Sequence, residues 1–250
     1  MSPRALLFDV DGTLADTERD GHRLAFNAAF RDMGLDWDWT PALYGELLAV
    51  TGGKERIRHY VERYRPDFVK PSYFDALVSE LHRAKTRHYT TLLATGGIPL
   101  RPGVARLLRE ARETGLRLAI ATTTTPDNVT ALLRHSLAED AESWFEVIAA
   151  GDMVPAKKPA PDIYFHTLQA MGLDAEDCLA FEDSHNGLRA SLGAGLKTIV
   201  TINEYTREHD FSGAAAVLSD LGEPDAAADC LAGAWRGQRG YVSIESLLAL

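Results

Sequence analysis

Five short apolar runs, each ending in small or polar residues, constrain this chain more than any other feature. They are Ala5–Val10, Leu116–Thr122, Val147–Ala150, Cys178–Phe181 and Thr198–Ile202. Amphipathic helical periodicity lies between them. Parallel strands need long crossover connections, which helices supply, so the alternation predicts an α/β fold with a doubly wound parallel sheet. Pro102 suits the first position of a helix carrying Val104, Leu107, Leu108 and Ala111, closed by Gly115. Pro126 opens a second stripe, Val129, Leu132 and Leu133, with Thr125 as a candidate N-cap.

The pattern breaks after the first strand. From Thr17 to Thr95 no strand pattern recurs, only helical stripes. Thr17 with Asp20 can cap a helix bearing His22, Phe26, Phe30 and Met33 on one face. Ile57, Tyr60, Val61 and Tyr64 follow Gly52-Gly53, and Phe74, Leu77, Val78 and Leu81 form a third stripe. Residues 17–95 therefore read as a helical domain inserted into a discontinuous core of residues 1–16 and 96–250, with Gly96-Gly97 as the return hinge. Trp37 and Trp39 are expected to pack inside it. Up to Gly240 the last thirty or so residues are rich in Ala, Gly and Asp, and a short apolar tail follows. They read as a mobile loop and a closing element.

Composition narrows the function. The net charge of −10 argues against nucleic acid or an anionic membrane as partner, and requires that any anionic ligand be held by local cations. No apolar run approaches the ~20 residues that span a bilayer, and the N-terminal apolar stretch is too short for a secretory signal. Two cysteines, Cys178 and Cys230, make no disulfide framework, so a reducing cytoplasm is expected. A monomer is the default.

In an open α/β sheet, ligands lie beyond the carboxyl ends of the strands. Four such ends here carry reactive or phosphate-compatible groups. Asp9 and Asp11 stand two apart at the first, where alternate residues of a strand address one point. Paired acids repel unless a cation or a proton intervenes, and hard oxygens suit Mg²⁺. Taken alone, two turn acids before Gly12 would serve as well to cap backbone amides. Thr122, Thr123 and Thr124 follow the second strand, where hydroxyls and a helix N-terminus can cradle phosphate. Lys158 precedes Pro159, and Pro161 starts a helix, which makes this lysine's placement rigid. Glu182 and Asp183 end the fourth run.

The order strand-DxDGT, helical insert, strand-Thr, Lys-Pro, strand-Glu-Asp resembles the haloacid dehalogenase-type phosphotransferase superfamily along the whole chain. DGTLADTE, TGGKER, KPAPDIY and FEDSHNG are most similar to the CbbY-type sugar phosphatases. That resemblance implies a Rossmann-like core with a helical cap, and hydrolysis of a small phosphorylated sugar, xylulose 1,5-bisphosphate. It implies Asp9 as nucleophile and Asp11 as general acid and base. Mg²⁺ would be held by Asp9, the Asp11 carbonyl, Asp183 and Glu182. Thr122, Thr123 and Lys158 would hold the transferring phosphoryl group. In the cap, Glu18, His22, Gly53 and Lys54, with Thr124 from the core, would contact the sugar. Arg58, Lys85, Arg87 and His88 read mainly as solvated charge. Two other readings stay open: a sugar phosphomutase using the same Asp9, and a signalling domain phosphorylated at Asp9.

Overall fold

All five apolar runs are strands of one sheet. The computed structural model describes residues 2–250. In it β1 (Ala5–Phe8), β2 (Arg117–Ala121), β3 (Val147–Ala149), β4 (Cys178–Glu182), β5 (Lys197–Thr201) and β6 (Ala216–Leu218) pair in parallel. β7 (Ala228–Gly233) and β8 (Arg239–Gly240) complete one edge antiparallel. The spatial order is β3-β2-β1-β4-β5-β6-β7-β8. Chain order reverses between β1 and β4, the place where open α/β sheets form their ligand crevice.

Between β1 and β2 lie α1 (Arg23–Asp32), α2 (Pro41–Leu47), α3 (Gly53–Tyr64), α4 (Phe74–Ala94) and α5 (Val104–Glu113); α6 (Pro126–Ser136), α7 (Asp162–Met171), α8 (His185–Gly193) and α9 (Ile244–Leu248) follow. β1 shows how the sheet is sealed. Leu6 and Phe8 join Leu107 and Leu108 of α5 and Leu132 of α6 on one face. Ala5 and Leu7 meet Tyr164 and Leu168 of α7 on the other. Each fully buried Leu or Phe is worth about 1.5–3 kcal/mol, so this strand is a firm base for the acids beyond it.

Within residues 17–95 the described elements are all helical, and they build their own aromatic core. Phe26, Phe30, Trp37, Trp39, Tyr44, Ile57 and Leu81 pack together, as expected for the two tryptophans. The backbone at Trp39 is clipped by the Asn27 amide, which accepts from Trp39 N at 2.8 Å and donates to its carbonyl at 3.0 Å.

Four expectations need correction. Thr17 makes no capping bond, because its hydroxyl is committed to Asp11, and the chain enters α1 through a π-helical turn, Glu18–His22. Thr125 precedes Pro126 with extended backbone, but its hydroxyl has no partner. Pro102 stands just before α5, whose N-cap is Gly103. The stretch read as a mobile C-terminal loop contains strands β7 and β8, while the tail read as a closing element does pack on the core. Cys230, Val242, Ile244 and Leu247 enter the main core, and Arg106 donates to the carbonyls of Gly222 and Val242 at 2.8 and 2.9 Å. β7 escapes a pattern search because it buries only the small side chains Ala228 and Cys230 in alternation. No described helix is long and apolar enough to cross a membrane.

Candidate active site

Strand register assembles the acids. Phe8 lies opposite Phe181, their rings stack with centroids 4.5 Å apart, and the Asp9 amide donates to the Phe181 carbonyl at 3.0 Å. The residues that follow therefore stand side by side at the crevice. One carboxylate oxygen from each of Asp9, Glu182 and Asp183 lies within 4.8 Å of the others, and all three residues are buried. Two glycines make room for them. A Cβ on Gly12, whose φ of +85° is itself a glycine conformation, would collide with Asp183 Oδ2, and one on Gly187 with Glu182 Oε2.

A single ammonium serves this cluster. Lys158 Nζ donates to Asp9 Oδ1 and Glu182 Oε1, each at 2.7 Å, and to the Ala121 carbonyl at 2.9 Å. Tyr164 donates its hydroxyl to the same Glu182 oxygen, while Glu182 Oε2 has no partner. Burial pushes Asp9 up to about 7 against the pull of Lys158, with Glu182 and Asp11 adding to the rise. Burial, Asp9 and Glu182 push Asp183 well above the carboxylate range. Burial would lower Lys158, but Asp9 and Glu182 hold it above its usual value. Three buried carboxylates around one cation are short of positive charge. The crowded oxygens and the orphaned Glu182 Oε2 fit a hard divalent cation.

Asp11, beyond the end of β1 at Phe8, has hydrogen-bond partners of its own. Asp11 Oδ1 accepts from Thr17 Oγ1 at 2.6 Å and lies 2.8 Å from His22 Nε2. Burial alone would raise Asp11, but His22, by charge and by hydrogen bond, and Thr17 hold it well below the usual range. His22 is buried and lies 4.1 Å from the Tyr89 ring, centroid to centroid.

Both aspartates line one cavity of about 470 Å³, with Thr122, Thr123 and Lys158 beside them and Glu18 and Arg56 reaching it from the helical segment. A family model for haloacid dehalogenase-like hydrolases matches residues 3–195. The chain belongs to that family. It is 51% identical over 221 residues to the plasmid protein CbbY of Cupriavidus necator, covering 88% of this chain and 87% of that one. It resembles the crystal structure of Rhodobacter sphaeroides CbbY in complex with phosphate with a TM-score of 0.83, at 48% identity over 89% of this chain and 96% of that one. An aspartate-to-asparagine variant of that CbbY, in complex with xylulose 1,5-bisphosphate, matches with a TM-score of 0.83 and 47% identity over 90% and 96% of the two chains.

In this haloacid dehalogenase-like site, Asp9, Asp11, Glu18, Thr122, Thr123, Lys158, Glu182 and Asp183 share the cavity. Four expected contacts do not reach it. His22 stands behind Asp11. Thr124 turns inward and accepts from Asn128 Nδ2 at 2.9 Å. Gly53 packs beneath His82 and Phe26. Lys54 points to Asp152, 2.5 Å away, in a separate groove where Lys157 also pairs with Glu55 and Asp152. Lys85 corrects the expectation of a solvated charge. It is buried 5.3 and 5.2 Å from the Phe26 and Tyr89 ring centroids, because α4 turns that face onto α1. Arg58, Arg87 and His88 do pair at the surface, with Asp75, Glu80 and Asp32.

Arg56 escaped the sequence reading. It is buried, donates to Tyr44 Oη at 2.8 Å and lies 3.7 Å from Glu18 Oε2. Its position one residue before Ile57, on the same helical face as Tyr60, was the available signal. Asn203, which donates to Asp183 Oδ2 at 2.7 Å, had none, since only the β4–β5 pairing brings it there.

Proposed function

We propose that this protein is a Mg²⁺-dependent phosphatase that hydrolyses xylulose 1,5-bisphosphate to xylulose 5-phosphate, removing an inhibitor of Rubisco. The observation that carries the reading is the division of labour between two aspartates in one cavity. Asp9 sits against Lys158 among crowded acids, and Asp11 against His22 and Thr17. Asp9 attacks phosphorus, the bond to the sugar oxygen breaks, and Asp11, as general acid, passes to that oxygen the proton it shares with His22. Water then attacks the aspartyl-phosphate, Asp11 accepts its proton, and Asp9 and phosphate are regenerated. Thr122, Thr123 and Lys158 hold the phosphoryl oxygens, since phosphoryl transfer asks mainly for positioning and charge stabilisation.

Asp9, Asp183, Glu182 and the Asp11 carbonyl would hold Mg²⁺, which when bound neutralises charge on the phosphoryl group. Residues 17–95 act as a cap over a core of residues 1–16 and 96–250, and Glu18 and Arg56 face the remainder of the substrate. The substrate choice is supported by the near-half identity to a protein crystallised with that bisphosphate. The enzyme acts as a cytoplasmic monomer.

The test is a panel of sugar mono- and bisphosphates compared by kcat/KM with and without Mg²⁺. Xylulose 1,5-bisphosphate is expected to lead, with activity lost in chelator. Conversion of a β-hexose 1-phosphate to its 6-phosphate without net phosphate release would replace the phosphatase with a mutase. A long-lived stoichiometric acyl phosphate would replace it with a signalling domain.

A further inference from the structure

We infer that Arg101 is a positioning residue for the carboxylate cluster. Its buried guanidinium fixes the loops after β1 and β5 so that Asn203 holds Asp183 in place. This rests on the reading of Asp9, Glu182 and Asp183 as the cation-holding group.

Arg101 lies where the chain returns from the helical segment, three residues before α5. Its amide donates to the Leu14 carbonyl at 2.9 Å, and its side chain is 6% exposed. Nη1 donates to the carbonyls of Gly12 and, at 3.4 Å, Thr201. Nη2 donates to those of Ile202 at 2.5 Å and Ser219 at 2.9 Å. These acceptors belong to three different strand ends, those of β1, β5 and β6. The carboxylate that pairs with it, Asp16 Oδ1, stands 3.6 Å away and is 59% exposed. A planar fork can satisfy several carbonyls in fixed directions at once, which the single nitrogen of a lysine cannot reproduce.

The clamped atoms are the two walls around Asp183. Ile202 precedes Asn203, whose Nδ2 donates to Asp183 Oδ2 at 2.7 Å while its Oδ1 accepts from Tyr205 N at 2.9 Å. Gly12 packs so closely on the same pair that a Cβ there would strike both Asp183 Oδ2 and Asn203 Nδ2. Arg101 touches no reacting atom. It sets the spacing between the Gly12 loop and the Asn203 loop, and through them the direction of Asp183.

The test measures Mg²⁺ binding by calorimetry, without substrate, on wild type, Arg101→Lys and Asn203→Ala, alongside p-nitrophenyl phosphate hydrolysis over a range of Mg²⁺. Loss of an outer partner of a metal ligand typically costs about 10–100-fold in affinity, so both variants are expected to bind Mg²⁺ at least ~10-fold more weakly. Their kcat should fall at limiting Mg²⁺ and partly recover at saturation, with KM for the ester nearly unchanged. Arg101→Lys that melts earlier but binds Mg²⁺ as wild type does would reduce Arg101 to a structural residue and overturn the inference. Asn203→Ala keeps the clamp and cuts only the last link, so the inference stays falsifiable even if Arg101→Lys does not fold. Undiminished Mg²⁺ affinity in that variant also overturns the inference. A wild type that binds Mg²⁺ but hydrolyses no phosphate ester would sink the phosphatase reading alone, and the calorimetric result for Arg101 would stand.

Discussion

Lys85→Met should make the protein more stable and less active. The ammonium is buried between Phe26 and Tyr89, and burial lowers its pKa from 10.5 to about 8, with Asp11 and Glu18 pulling it back up and Arg56 pushing it further down. That drop corresponds to about 3 kcal/mol of destabilisation at neutral pH. Methionine fills a similar volume without the charge, at the loss of two cation–π contacts worth together about 1–2 kcal/mol. The net gain at pH 7 is then about 1–2 kcal/mol, or roughly 2–8 °C in Tm for a chain of this size. The pH dependence is the sharper test. Because the folded pKa lies below the unfolded one, the penalty is fully present below pH 8. It fades as pH rises from about 8 to 10.5, where the unfolded chain holds the proton that the folded one has lost. Urea unfolding of both proteins at neutral pH and near pH 10.5 reads this directly. A variant less stable than wild type at pH 7, or an advantage of the same size at both pH values, would refute the argument. Phosphate release should fall meanwhile, because Lys85 contributes positive charge at Asp11.

Asp9→Asn should abolish phosphate release while leaving the fold intact, since the amide is nearly isosteric and a poor nucleophile; turnover by that variant at wild-type rates would remove Asp9 from its role. Mg²⁺ at ~100 times its dissociation constant should stabilise the protein by about 2.7 kcal/mol. Because the raised Asp9 must shed a proton to bind it, the thermal shift should grow as pH rises through about 7; a shift larger at pH 5 than at pH 8 would contradict this. Arg56→Ala should raise KM for the sugar bisphosphate while sparing p-nitrophenyl phosphate, and equal losses on both would move Arg56 into the chemical step.

The sheet and its acids were legible in the sequence because they obey short-range rules. Leu6 and Phe8 alternate with Ala5 and Leu7 onto two packed faces, and the apolar run stops where Asp9 begins. The same logic located Glu182 and Asp183 at the end of β4. What could not be read is set by rotation and by distance along the chain. Lys54 and Arg56 are two residues apart on α3, and the helix turns the first to the surface and the second to the cavity. Arg101 and Asn203 lie far from the motifs they serve, so no local spacing betrays them. The C-terminal strands were missed for a third reason: β7 buries only alanine and cysteine, which leaves little periodic contrast.

These differences also separate the strand-borne part of the cavity from the helix-borne part. Asp9 and Asp183 depend on the pairing of β1 with β4, where a slip of one residue would carry Phe181 into the site and turn Glu182 and Asp183 to opposite faces. That register is protected by stacked phenylalanines and by two glycines that admit no side chain. Arg56, Tyr44 and Glu18 depend instead on helices held by the cluster around Trp39. Side-chain exchanges there alter the cavity's roof without moving a strand. Asp11 joins the two systems. It is carried by the β1 loop, yet its partners Thr17 and His22 belong to the start of the helical segment. Its ionisation is therefore set by how that segment sits, while the position of Asp9 is not.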